Sequence, residues 1–170
     1  MGDSNTTHET STTVGETFAR FYVSSYPTVE RALALTLRDR ELGREAAQEA
    51  MARALARWSV VSGYANPRGW VFRVGLNYAR SRLRRVAREV LGLLRDRPAT
   101  PVEAADPAVG EMLDRLPVEH RAVLVLRFYL EFTIADTAAA LGIPEGTVRS
   151  RQRRGLEQAR ELLEEDDRDG

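Results

Sequence analysis

The sequence predicts an all-α protein: two small helical domains joined by a flexible linker, the C-terminal one a helix-turn-helix. Three observations carry that reading. Apolar residues recur three and four apart through most apolar segments, the period of a helix with one buried face. Residues 95–109, RDRPATPVEAADPAV, interrupt that period with three prolines and a run of small and acidic residues. The stretch from Thr133 to Arg160 carries the stop and start signals of two helices meeting at a tight turn. The chain divides into a disordered tail over 1–15, a helical domain over 16–94, a linker over 95–110, the helix-turn-helix domain over 111–164 and an acidic tail over 165–170.

In chain order, the threonine- and serine-rich start lacks an apolar period and cannot offset the entropy of ordering. Phe18, Phe21, Tyr22, Val29, Leu33 and Leu37 then recur at helical spacing, with Pro27 marking a kink or a break. Between about Leu42 and Trp58, the residues Ala47, Ala50, Met51, Ala54, Leu55 and Trp58 form a buried face. Glu45, Gln48, Glu49, Arg53 and Arg57 are left toward solvent or a partner. Ser59 to Asn66 reads as a loop with Tyr64, and Asn66-Pro67 as a cap followed by a first-turn proline. On the long helix that follows, Arg73, Asn77, Arg80, Arg84 and Arg88 make one strongly positive stripe. Val71, Val74, Tyr78 and Leu83 turn toward a core. With Tyr64 and Trp70 beside the arginines, a basic track is interleaved with aromatics, the combination that single-stranded nucleic acid favours.

Beyond the linker, which spans at most about 50 Å when extended, Leu113 and Leu116 precede Pro117. The next helix, to about Leu130, packs Val123, Leu124, Leu126, Arg127 and Phe128 toward the helix-turn-helix, with His120 at the surface. Thr133 caps the first helix of the motif, with Asp136 as the capping-box acid. Gly142 closes it and Pro144 opens the second. Ala135, Ala138, Ala139 and Ala140 permit close approach, and Val148 anchors the second helix. Glu145, Thr147, Arg149, Ser150, Arg153 and Arg154 remain outward, the chemistry of a helix that lies among phosphates and reaches base edges in a major groove. Of these, Arg154 is the natural phosphate contact. Gly155 lies inside this helix, where glycine costs about 1 kcal/mol relative to alanine, and the acidic end ELLEEDDRDG should fray.

Composition narrows the function further. No run approaches a membrane span and the polar start lacks the apolar core of a signal peptide, so the expectation is a cytoplasmic protein without membrane insertion. With no cysteine and only His8 and His120, neither a metal site nor a cofactor is expected. The 25 basic and 25 acidic residues cancel, but they are segregated along the chain, and local field decides whether nucleic acid binds. All the basic residues are arginine, whose planar fork suits phosphate and guanine.

The two motif-bearing stretches together resemble an extracytoplasmic-function sigma factor of bacterial RNA polymerase, over about Phe18 to Leu163. AAQEAMARALARW and NPRGWVFRVGLNYARSRLRR are similar to region 2 of that family, and LDRLPVEHRAVLVLRFYLEFTIADTAAALGIPEGTVRSR to region 4. The resemblance implies a protein that is not itself an enzyme, with core RNA polymerase and promoter DNA as partners and an anti-sigma factor as a candidate inhibitor. By position it implies polymerase-clamp contacts at Gln48, Glu49 and Arg53. Recognition and melting of the minus-ten element fall on Tyr64, Asn66, Arg68, Trp70, Arg73, Asn77, Arg80 and Arg84. Contacts to the minus-thirty-five element fall on Glu145, Thr147, Arg149, Ser150, Arg153 and Arg154. The chain departs from the family pattern at Arg44-Glu45, where an acidic pair is usual, and at Gln152, Gly155 and Ala159, where leucine, alanine and leucine are usual.

Two rival classes stand beside it. A helix-turn-helix regulator would bind an operator as a dimer without polymerase. A carboxylate metal enzyme would use Glu45 and Glu49, four apart on a helix, but no Glu-x-x-His accompanies them.

Overall fold

The computed structural model describes residues 5–90, 100–102 and 107–169, with side chains described for a subset of these. Eight α-helices and one π-helical turn make up the described part: α1 Asn5–Leu37, α2 Arg40–Ala56, α3 Trp58–Val61, α4 Pro67–Val90, α5 Pro107–Arg115, α6 Val118–Leu124 continued by the π turn Val125–Tyr129, α7 Ile134–Leu141 and α8 Glu145–Asp169. No strand occurs among the described residues. None of these helices is long and apolar enough to cross a membrane.

The first half is built on the crossing of α1 and α2. Asp39 caps α2 by accepting the backbone N–H of Glu41 and Leu42, both at 3.0 Å. The chain reverses just before it, through Arg38 at φ 53°, a left-handed conformation uncommon for a side-chain-bearing residue. A Cβ on Gly43 would lie 2.5 Å from the Ala34 Cα, so only glycine lets the two backbones approach this closely. Phe18 and Phe21 close on Trp58 at ring distances of 5.3 and 4.8 Å. The Trp58 Nε1 donates to the Thr17 hydroxyl at 2.9 Å.

Several sequence expectations change here: Leu55, expected on the buried face of α2, is 50% exposed, and residues 59–61, expected as loop, belong to α3. Pro27 neither breaks nor divides α1. Its missing bond falls to the carbonyl of Val23, on the exposed side of the helix. Residues 5–15, expected as a disordered tail, continue α1. Once the aromatic cluster anchors the helix, each added residue gains a backbone bond without a new nucleus. The linker ends earlier than expected, and its described piece is packed against the first half. Residues 91–99 and 103–106 lie outside the described residues, but α5 already begins at Pro107. Val102 is buried, and Thr100 accepts the Arg40 N–H at 2.9 Å, so this piece of the linker is docked against the start of α2.

The second half packs α5, α6 and α7 around α8. Buried Val123, Leu124 and Leu126 face inward as expected, whereas Phe128 is 56% exposed, because the π turn rotates the chain by one residue before it leaves the helix. Leu83, expected toward the core of the first half, is half-exposed near the end of α4. Gly155 sits buried in an unbroken α8, where a Cβ would lie 3.2 Å from Leu124. It lets α6 pack closely on α8, a use of glycine that helix propensity alone does not show. Residues 165–169, expected to fray as an acidic tail, continue the same helix by propagation from its packed part.

The halves also share one apolar core. Leu33 and Leu35 of α1 belong to the same buried cluster as Leu113, Leu116, Leu124 and Val125. Polar ties reinforce the seam. Arg121 is buried and donates to the Thr36 carbonyl at 3.0 Å and the Leu116 carbonyl at 2.7 Å. Arg38 grips Asp114 with two bonds, at 2.5 and 2.8 Å.

Candidate nucleic-acid interface

The helix-turn-helix forms as its sequence dictates. The Thr133 hydroxyl accepts the Asp136 N–H at 3.0 Å while Asp136 accepts the Thr133 N–H, the reciprocal bonds of a capping box. Gly142 adopts φ 67°, and the N–H groups of Gly142 and Ile143 both reach the Ala138 carbonyl. Val148 is fully buried and Ala140 nearly so, fixing the angle between α7 and α8. Ala135 and Ala139 are exposed, so only part of the expected small-residue face is used for close approach.

On the outer face of α8, Glu145, Arg149, Arg153 and Arg154 are exposed, and Thr147 and Ser150 half-exposed. Glu145 pairs with Arg149 at 2.9 Å, and Arg153 with Glu157 at 3.0 Å. Exposed i,i+4 pairs of this kind contribute only about 0.3–0.5 kcal/mol, so little holds these arginines to their glutamates. The Ser150 hydroxyl donates to the Thr147 carbonyl at 3.0 Å.

In the first half, α4 presents Arg73, Asn77, Arg80 and Arg84 along one side. The side chain of Arg88 lies outside the described residues. Tyr64 is 44% exposed in the α3–α4 loop, 6.4 Å ring to ring from half-buried Trp70, which packs against the core. Arg68 is exposed one turn away. The Asn66 Oδ1 accepts the Gly69 N–H at 2.8 Å, so Asn66 is the N-cap of α4.

These two faces meet. The Asn66 side chain also lies close enough to influence the Asp136 carboxylate, which is held below the ordinary carboxylate range first by the Thr133 hydroxyl and then, against the opposing effect of burial, by the Thr133 N–H and the Asn66 side chain. Arg73 reaches the Ala139 carbonyl at 3.5 Å. Part of the α4 surface is thus engaged by α7, the supporting helix of the helix-turn-helix. Sequence reasoning missed this contact, since nothing in either segment encodes its distant partner.

The third predicted group lies on α2. Gln48 is exposed, near the Tyr26 hydroxyl, whose pKa is pushed up by burial. Glu49 and Arg53 form an exposed pair at 2.8 Å. Glu45, expected to face solvent or a partner, is instead tied to α4: it accepts from the Tyr78 hydroxyl at 2.6 Å and pairs with Arg82. His120, expected at the surface, is half-buried with its Nδ1 2.7 Å from the Gln158 Oε1, joining α6 to α8. Among the described residues, no group of three or more His, Asp or Glu side chains is placed to hold a metal ion.

The family described as Sigma-70, region 4 matches residues 112–161, which hold the end of α5, α6, the π turn, α7 and α8 as far as Glu161. The likeness to whole proteins runs through the first half as well. The ECF RNA polymerase sigma factor SigM of Mycobacterium tuberculosis is 32% identical over 158 residues, covering 86% of this chain and 76% of the relative. This chain belongs to the ECF sigma factors. SigL of the same organism, 34% identical over 75% of this chain and 77% of its own length, belongs to the same family. Among solved structures, the sigma factor RpoE in complex with the anti-sigma factor NepR from Bartonella quintana matches at TM-score 0.75 over 88% of this chain and 98% of that one. At 21% identity it shares the fold. As an ECF sigma factor, the chain serves promoter recognition in transcription initiation, and the rival reading of an operator-binding regulator loses its ground because the likeness extends well beyond the helix-turn-helix.

Proposed function

We propose that this sigma factor reads promoter DNA through two separate surfaces and joins core RNA polymerase through a third. The outer face of α8, with Glu145, Thr147, Arg149, Ser150, Arg153 and Arg154, enters the major groove of the minus-thirty-five element. Arg149 and Arg153 are the base-reading candidates, each released from its glutamate on binding, and Arg154 is a phosphate contact. Tyr64, Asn66, Arg68, Trp70, Arg73, Asn77, Arg80 and Arg84 form the minus-ten surface. There Tyr64 offers an exposed ring for an unstacked base, and the arginines neutralise the backbone on either side. Gln48, Glu49 and Arg53 on α2 face the polymerase clamp, acting in the cytoplasm without catalysis by the sigma factor itself. An anti-sigma factor is proposed as the inhibiting partner.

The observation that carries this reading is the placement of an exposed aromatic, Tyr64, at the head of an arginine-bearing helix, in a chain whose capped helix-turn-helix carries a second arginine face. Opening a duplex costs a few kcal/mol per flipped base, and an aromatic platform returns about 1–3 kcal/mol of it through stacking. The test is run-off transcription by purified core polymerase with this chain on a randomised promoter library. Enrichment of paired minus-thirty-five and minus-ten motifs is expected. Transcription no greater than that of the core enzyme alone would sink the proposal.

A further inference from the structure

We infer that the seam between α4 and the helix-turn-helix is a phosphate-binding cleft, built jointly by the two halves of the chain, whose occupant holds them closed. A cavity of about 310 Å³ lies there, lined by Arg80 and Arg84 of α4, Arg151 of α8, Glu119 of α6, and Leu141 and Ile143 at the turn. Three arginines and one glutamate therefore line one cavity, Arg84 with an interaction of its own. Arg80 and Arg151 are half-buried, and neither has a hydrogen bond or ion pair among the described residues. Elsewhere on the molecule, Arg38, Arg53, Arg82, Arg149, Arg153 and Arg160 each hold a carboxylate.

Cations brought together in a partly desolvated concavity repel one another unless an anion lies between them. The guanidinium fork matches phosphate oxygens two at a time, which makes a phosphate group the fitting occupant. Because the arginines come from both halves, such a ligand bridges them. It would strengthen the seam where Arg73 reaches the Ala139 carbonyl and Asn66 lies near Asp136. Arg80 and Arg84 belong to the proposed minus-ten surface, so the inference rests partly on that reading. Arg151 belongs to none of the proposed promoter contacts and supplies an independent handle. A phosphate in the cleft would occupy Arg80 and Arg84 and compete with promoter DNA. It comes either from a free polyphosphate or from the backbone of a nucleic-acid strand.

The test uses the full chain alone, without polymerase or promoter. Titration calorimetry at fixed ionic strength is run with inorganic triphosphate in one arm and a short single-stranded oligonucleotide of abasic sites in the other. Saturable binding is expected in at least one arm, and the arm that binds names the source. Arg151→Ala should weaken it by about tenfold or more, the loss of one charge-assisted contact, while Arg57→Ala, an exposed arginine outside the cleft, should not. The chain has no cysteine, so single cysteines at Ser62 and Glu161 can carry a dye pair. The energy transfer of the closed state should persist to higher denaturant concentration as ligand is added. Absence of saturable binding in both arms, or binding by folded Arg151→Ala equal to wild type, overturns the cleft and leaves the promoter assignment standing. Promoter activity that fails while Arg151-dependent binding survives overturns the minus-ten assignment alone.

Discussion

Replacing Arg121 tests whether the two halves are fastened to each other by a buried cation. Its guanidinium is buried and donates to the carbonyls of Thr36 and Leu116, at 3.0 and 2.7 Å. The first belongs to the last turn of α1, whose carbonyls have no helical partner, and the second lies at the end of the α5 region, before Pro117. In Arg121→Met the aliphatic stem is kept, but both carbonyls lose a charged donor, each such bond contributing about 1.5–3 kcal/mol. Relief of the desolvation that lowers the Arg121 pKa offsets part of this, and Arg38 nearby no longer faces a second cation. A net loss of about 3 kcal/mol remains, the size seen when one partner of a buried charged network is removed. For a chain of this length it lowers the melting temperature by about 6–12 °C. Circular dichroism melts of Arg121→Met and of Arg20→Met, an exposed control, decide the matter. A shift no larger than the control's would refute the latch, because the carbonyls would then have been as well served by water.

Further outcomes follow from the other surfaces. Glu49→Arg with Arg53→Glu should weaken core-polymerase binding without lowering thermal stability, since the exposed pair is only reversed; normal core binding by the folded double variant counts against the α2 surface. On α8, Arg149→Ala or Arg153→Ala should remove about 1–3 kcal/mol of discrimination at one base position, whereas Arg154→Ala should weaken all sequences alike. Competition binding across minus-thirty-five variants separates the two, and uniform weakening by all three substitutions excludes base reading. Tyr64→Ala should reduce permanganate-reactive thymines at the minus-ten element at unchanged melting temperature, while Asn66→Ala should also cost about 1 kcal/mol through the lost cap of α4; unchanged opening by Tyr64→Ala removes the capture site. Asp114 and Asp136 both have folded-state pKa values below the ordinary range, the first through its bond to Arg38 and the second through Thr133. A depressed pKa contributes stability that is present above the unfolded value and is lost as pH falls through the folded one. Acid titration by energy transfer should therefore show the halves separating only below about pH 4; separation between pH 5 and 7 would mean that other groups hold the seam.

The sequence by itself determined the local structure and the chemistry on display. Thr133, Asp136, Gly142 and Pro144 set the limits of the helix-turn-helix, because capping and left-handed turns are satisfied within a few residues of where they are written. Asn66-Pro67 started α4 for the same reason, and the arginine faces of α4 and α8 followed from helical period alone. Tertiary structure decided what a local pattern does not carry. Anchoring of the aromatic cluster on Trp58 kept α1 continuous past Pro27, where propensity alone read a break. Close crossings explained Gly43 and Gly155, the latter read from sequence only as a weakness. Glu45 read as a charge facing solvent or a partner, and Arg121 and Asp114 carried no motif, because the neighbours that bind them lie far off in sequence, 85 residues for Arg121 and Thr36. The same distance hid the meeting of Asn66 with Asp136. Side chains that cap or turn the chain choose partners nearby and leave a readable spacing, whereas those that join two halves choose partners set by packing, which no spacing records.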